Sequence, residues 1–157
     1  MKKTLDLIQK LINIFLSAAI FAMTLIIFLQ VISRYIFNSP LVWSEELSRY
    51  LFVWISFLAI ADAVRTKSHI ALSILTDRMS EDRKQIVSRL NYSLTCIIGI
   101  IITYGGIVLM NLGVHQSSAT LGVPMFLVYL VIPVSGVLIS IFSVEKIFTK
   151  EGMADND

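Results

Sequence analysis

The stretch LINIFLSAAIFAMTLIIFLQVIS, residues 11–33, holds no Asp, Glu, Lys or Arg over 23 positions. A bilayer has a hydrocarbon core about 30 Å thick, and roughly 20 apolar residues in an α-helix cross it. The run is long enough to span a membrane and too long for an ordinary buried core helix. Further along, residues 90–114 form a second uncharged run of 25, and residues 115–144 continue without a charge. Only 15% of the 157 residues are charged, against about a quarter in a typical soluble domain. The mean hydropathy is +0.79.

These runs predict an all-α integral membrane protein, a single four-helix domain over residues 1–157. The spans are expected at about residues 11–37, 45–64, 86–114 and 123–148. The second is the least obvious, because its uncharged centre, residues 50–61, has only 12 positions. Its apolar residues Leu51, Phe52, Val53, Trp54, Ile55, Phe57 and Leu58 surround the helix, however. Arg49 can extend outward at one end, and Asp62 and Arg65, one turn apart, can pair at the other. At the N-terminus, Lys2 and Lys3 before an apolar run resemble a secretory leader, with Ser17-Ala18-Ala19 as a mimic of a cleavage site. The run goes on to Ser33 with no polar mature start, so an uncleaved first helix is expected.

Lys and Arg set the orientation. Three lie before the first span (Lys2, Lys3, Lys10), six between the second and third (Arg65, Lys67, Arg78, Arg83, Lys84, Arg89), and two after the fourth (Lys146, Lys150). With four spans, these eleven share one side, against two (Arg34 and Arg49) on the other. Both termini are therefore expected in the cytoplasm. In the middle loop, Ile70, Ile74, Leu75 and Met79 recur at helical spacing and predict a short interfacial helix over about residues 69–79. Ser80 can cap a helix with Glu81 and Asp82 in its first turn.

The densest polar signal lies where the first two spans meet the outer face: Arg34-Tyr35, Pro40, Trp43, Glu45-Glu46, Arg49-Tyr50 and Trp54. Ser39 is expected to cap a helix that starts at Pro40. Glu45 and Arg49 have the favourable order for a pair four residues apart, and Arg34 can reach the same carboxylates. The cluster reads as a neutral interfacial salt-bridge group or as a docking surface for a protein partner. In the third span Gly99, Gly106 and Gly113 recur every seven residues, with Thr103 on the same face, a pattern that lets a second helix approach closely. Pro133 removes a donor inside the fourth span and should kink it, while Pro124 stands harmlessly near its start.

Catalysis finds little footing. His69 and His115 fall at opposite faces of the membrane, and the single cysteine, Cys96, lies in an apolar run. No phosphate-binding glycine loop, CxxC or HExxH pattern occurs, and no basic stretch interleaved with aromatics points to nucleic acid. No cofactor, metal or catalytic residue is expected.

The order Gln30-Val31, Arg34-Tyr35, Phe37, Pro40, Trp43, Glu45-Glu46, Arg49, Phe52, Trp54, then Arg65 and His69-Ile70, resembles the small membrane subunit, the Q-type component, of tripartite ATP-independent periplasmic (TRAP) transporters. The later Ser118-Ala119, Leu121-Gly122-Val123-Pro124-Met125, Tyr129 and Pro133 resemble the same family. The likeness runs from about residue 10 to residue 148. It implies a non-enzymatic subunit of a bacterial or archaeal inner-membrane transporter, sodium-coupled and carrying organic acids. The implied partners are a large elevator-type membrane subunit, which holds the substrate, and a periplasmic substrate-binding protein. This chain would be a static scaffold, bathed in membrane lipids and out of contact with the substrate. A quinone-linked redox subunit would need paired His or Cys, and a small dimeric exporter a functional charge at mid-membrane; the sequence offers neither.

Overall fold

The computed structural model describes residues 2–66 and 81–148. His69 and the helix expected over residues 69–79 lie outside the described residues, as does Ser80. The described chain is all-α: α1 (Lys2–Tyr35), α2 (Val42–Thr66), α3 (Glu81–Gly113), a short α4 (Met125–Tyr129) and α5 (Val131–Phe148). Four helical stretches, with α4 and α5 forming one of them, are long and apolar enough to cross a membrane. At 1.5 Å per residue, the 34 residues of α1 and the 33 of α3 each reach about 50 Å, well beyond the hydrocarbon core.

Pro133 explains the division of the last span. Without an N–H it deprives the carbonyl of Tyr129 of its usual donor, and the helix is interrupted at Leu130. The chain carries on because the Leu130 N–H still donates to the Phe126 carbonyl at 2.9 Å. The start of α2 differs from expectation. Ser39 does not cap a helix at Pro40; the helix begins at Val42, and the Ser44 hydroxyl donates to the Leu41 carbonyl at 2.6 Å. Residues 36–41 instead make a tight reversal through Asn38, whose φ is 48°, a left-handed conformation that asparagine tolerates. The Ser33 hydroxyl closes the reversal on the Ser39 carbonyl at 2.5 Å.

The extensive helix contacts run from α1 to α2, from α2 to α5 and from α5 to α3, so the fourth span sits centrally and the first and third flank the row. Small residues form the α3–α5 seam. A Cβ on Gly106 would lie 2.6 Å from the Pro133 nitrogen, and one on Gly136 would lie 2.6 Å from the Thr103 nitrogen. Gly99 faces Ser140, and Gly113 faces Tyr129 and the start of α4. With lipid as solvent, hydrophobicity does little to join helices, so this close backbone approach supplies dispersion contacts that larger residues would prevent. On the other flank, Ile12, Leu58, Val131 and Phe142 form the buried cluster, and the rings of Phe15 and Trp54 meet at 5.9 Å.

Candidate functional site

Polar chemistry concentrates at the two ends of the helix row. At the end holding the 36–41 and 114–124 loops, Glu46 dominates. The later loop folds as a compact hairpin: Ser118 N–H donates to the Val123 carbonyl at 2.9 Å, and Val123 N–H donates to the Ser118 hydroxyl at 3.1 Å. Gly122, at φ 65°, makes the turn that a side chain would resist. This geometry aims three successive backbone N–H groups, from Ala119, Thr120 and Leu121, at the Glu46 carboxylate, at 3.2, 3.0 and 2.9 Å. Such a nest of N–H groups is a natural anion site. The Tyr50 hydroxyl donates to the same carboxylate at 2.6 Å. Glu46 is therefore a latch that ties α2 to a loop more than seventy residues away.

The rest of the expected cluster does not converge there. Glu45 and Arg49 make an exposed pair at 3.5 Å, with about two-thirds of each side chain in the open. Arg34 is exposed and forms no ion pair among the described residues, so it does not reach those carboxylates. Its helix ends at Tyr35, and the 36–41 reversal intervenes before α2 begins. Tyr35, Ile36, Phe37, Val42 and Trp43 stand exposed around that reversal, a large apolar and aromatic patch beside Pro40.

At the opposite end Arg65 is nearly buried, with 7% of its side chain exposed. It does not pair with Asp62. Its Nε and Nη2 donate to the two Glu145 oxygens at 3.0 and 3.2 Å, a two-pronged pair from α2 to α5. Nη2 also donates to Asp6, and Nη1 donates to the Leu5 carbonyl at 2.8 Å and to the Gln9 side-chain oxygen at 2.7 Å, reaching α1. The guanidinium lies over the Phe142 ring at 5.4 Å. Asp62 instead accepts from Gln9 at 3.2 Å and from Thr66 at 3.4 Å. One side chain thus joins three spans. Asp6, Gln9 and Glu145 were not singled out from the sequence; the available signal is their level, since each lies a few residues inside a helix end that must share a membrane face with Arg65.

The described residues contain no cluster of three or more His, Cys, Asp or Glu able to hold a metal ion. Trp54 packs in the apolar flank, and Tyr129 and Pro133 line the glycine seam. The geometry fastens helices to one another.

Comparison with known proteins agrees with this picture. The sequence model described as "Tripartite ATP-independent periplasmic transporters, DctQ component" matches residues 23–151. The chain is 29% identical to the sialic acid TRAP transporter small permease protein SiaQ of Vibrio cholerae, over 94% of this chain and 84% of that one. It is 35% identical to the C4-dicarboxylate TRAP transporter small permease protein DctQ of Rhodobacter capsulatus, over 62% of this chain and 44% of the relative. It is 34% identical to part of the isethionate TRAP transporter permease protein DctMQ of Oleidesulfovibrio alaskensis, covering 77% of this chain but 20% of that longer one. A module that also occurs inside a much longer permease has a large membrane subunit as its partner. Four apolar spans and this family match make the chain a multi-pass inner-membrane protein and a component of transport, not an enzyme. The chain belongs to the family of small membrane subunits of TRAP transporters.

Proposed function

We propose that this subunit is the static scaffold of a sodium-coupled TRAP transporter for organic acids, and that its outer end helps to seat the periplasmic substrate-binding protein. The observation that carries the scaffold reading is the bracing at both ends. Arg65 ties three spans at one end, Glu46 clips the last loop to α2 at the other, and the glycine seam fixes α3 on α5. An element cross-linked in this way suits a frame against which a separate mobile part moves. The acids in the relatives' names, sialic acid, C4-dicarboxylates and isethionate, support an organic acid as the substrate class. The docking reading rests on the exposed aromatic patch at residues 35–43, flanked by Arg34 and the open Glu45–Arg49 pair. A mixed apolar and charged surface of this kind fits a protein partner.

The eleven-to-two distribution of Lys and Arg supports an orientation with the Arg65 end in the cytoplasm and the Glu46 end outside. Reporter fusions at Thr120 and Asp157 should accordingly report periplasm and cytoplasm. A periplasmic signal at Asp157 reverses the assignment. For transport itself, the purified chain in liposomes should show no sodium-driven organic-acid uptake, and adding the large subunit and binding protein should restore it. Uptake by the chain alone would falsify the scaffold reading.

A further inference from the structure

We propose that the outer face of α3, centred on Tyr104 and Gly105, is the surface on which the large membrane subunit packs, and that this partner supplies a hydrogen-bond acceptor to the Tyr104 hydroxyl. The inference rests on the scaffold reading only in taking the large subunit as the partner.

The uncharged run of the third span covers residues 90–114. Tyr104 lies two positions past its middle, about 3 Å along the helix from the bilayer centre at 1.5 Å per residue. It is 74% exposed and makes no hydrogen bond among the described residues. Tyrosine normally sits at the membrane interface, with its ring in apolar surroundings and its hydroxyl in a wet layer. From the centre, the headgroups are about 15 Å away, beyond the reach of the side chain. Five other hydroxyls in the spans solve this problem internally. Ser17, Thr24, Ser56, Thr103 and Ser140 each donate to the carbonyl four residues earlier in their own helix. A phenol is held too far from its own backbone to do the same. Facing lipid, the Tyr104 hydroxyl would have no partner, which hydrocarbon penalises. A protein surface that carries an acceptor removes the penalty.

Gly105 gives a second, independent indication. Gly99, Gly106, Gly113 and Gly136 all have neighbours that a Cβ would strike, so the internal seam accounts for them. Apart from its own stretch of helix, Gly105 has no described heavy atom within 4 Å of where its Cβ would be. Nothing among the described residues uses its small size, and glycine weakens a helix interior relative to alanine. Beside the projecting Tyr104, and between the exposed Ile101 and Val108, it leaves a notch where another backbone can come close. The exposed stripe of α5, with Val134, Val137, Ile141 and Val144, is purely aliphatic and suits lipid. In the DctMQ relative the matching segment is 20% of one longer permease chain, which supports a larger permease part as its neighbour. The large subunit is therefore the occupant that we assign.

The test uses the full chain co-expressed with its large subunit, with complex recovered in mild detergent and the melting temperature of the chain alone measured in parallel. Tyr104→Phe should lower the recovered complex about threefold, the size of a typical interhelical hydrogen bond in a membrane. Gly105→Leu should lower it about tenfold or more by filling the notch. Both variants should melt as the unchanged chain does, and Val137→Phe on the lipid-facing stripe should leave complex recovery unaltered. A photo-crosslinking residue in place of Tyr104 should label the large subunit. Normal recovery with both variants overturns the proposal, as does a crosslink to lipid alone or to a second copy of this chain. Failure of the unaltered chain to form any complex would instead overturn the scaffold reading itself.

Discussion

Replacing Arg65 by leucine should detach the N-terminal half of α1 from α2 and α5. The guanidinium is 7% exposed and Glu145 is 16% exposed, so the leucine variant leaves a largely buried carboxylate without its partner. Breaking a buried ion pair by removing one member costs about 3–5 kcal/mol. Asp6, 57% exposed, can turn to water and adds little. The Leu5 carbonyl and the Gln9 side chain also lose their donor. Arg65→Lys should recover only part of the loss, since an ammonium cannot make the two-pronged contact with Glu145 or reach α1 at the same time. The pair of changes Arg65→Leu and Glu145→Leu should be milder than Arg65→Leu alone, because no charge is then stranded. Thermal unfolding in lipid nanodiscs would check this series. An Arg65→Leu variant that melts with the unchanged chain would show that the three-helix tie contributes nothing to stability.

The contrast between Arg65 and the glycines shows which parts of the molecule are legible in sequence. Gly99, Gly106 and Gly113 advertise a face through their spacing, because a helix turns seven residues through nearly two full circles. The runs without charge likewise announce the spans, since the bilayer tolerates little else. Arg65 carries no comparable mark. Its nearest acid along the chain, Asp62, is a reasonable partner by spacing, yet the fold brings Glu145 across from a helix eighty residues later. Helix order in the membrane decides that choice, and local pattern does not contain it. Arg34 fails for the opposite reason. It is close in sequence to Glu45, but the reversal at Asn38 and the late start of α2 keep them from pairing. Glu45 and Glu46 look equivalent as neighbours in a cluster. A turn of about 100° per residue sends one to solvent and the other to the loop.

That difference makes Glu46 the more informative target. Glu46→Ala should free the 115–124 loop while leaving the spans intact. Three consecutive N–H groups lose an ionised acceptor, and bonds of that kind are about twice as strong as neutral ones. The hairpin keeps its own bonds through Ser118 and Val123, so it should remain folded but swing away from α2. Hydrogen exchange reads this directly. The amides of Ala119, Thr120 and Leu121 should exchange at least about tenfold faster, whereas those of α3 and α5 should not change. Glu46→Gln keeps one acceptor oxygen without the charge and should lie between the two. Tyr50→Phe removes a donor to the carboxylate and the hydroxyl's contacts with Ser118 and Met125, but none of the three backbone N–H bonds to Glu46, and should have the smallest effect of the three. Glu45→Ala serves as the neighbouring control, since its only ion-pair partner among the described residues is the exposed Arg49. If binding-protein docking uses the shape of this end, uptake by the assembled transporter should fall in the order of loop release: Glu46→Ala, then Glu46→Gln, then Tyr50→Phe, with Glu45→Ala near normal. Unchanged exchange at all three amides in Glu46→Ala would mean that the carboxylate does not hold the loop. Faster exchange with normal uptake would mean that the loop is held there for stability and not for docking.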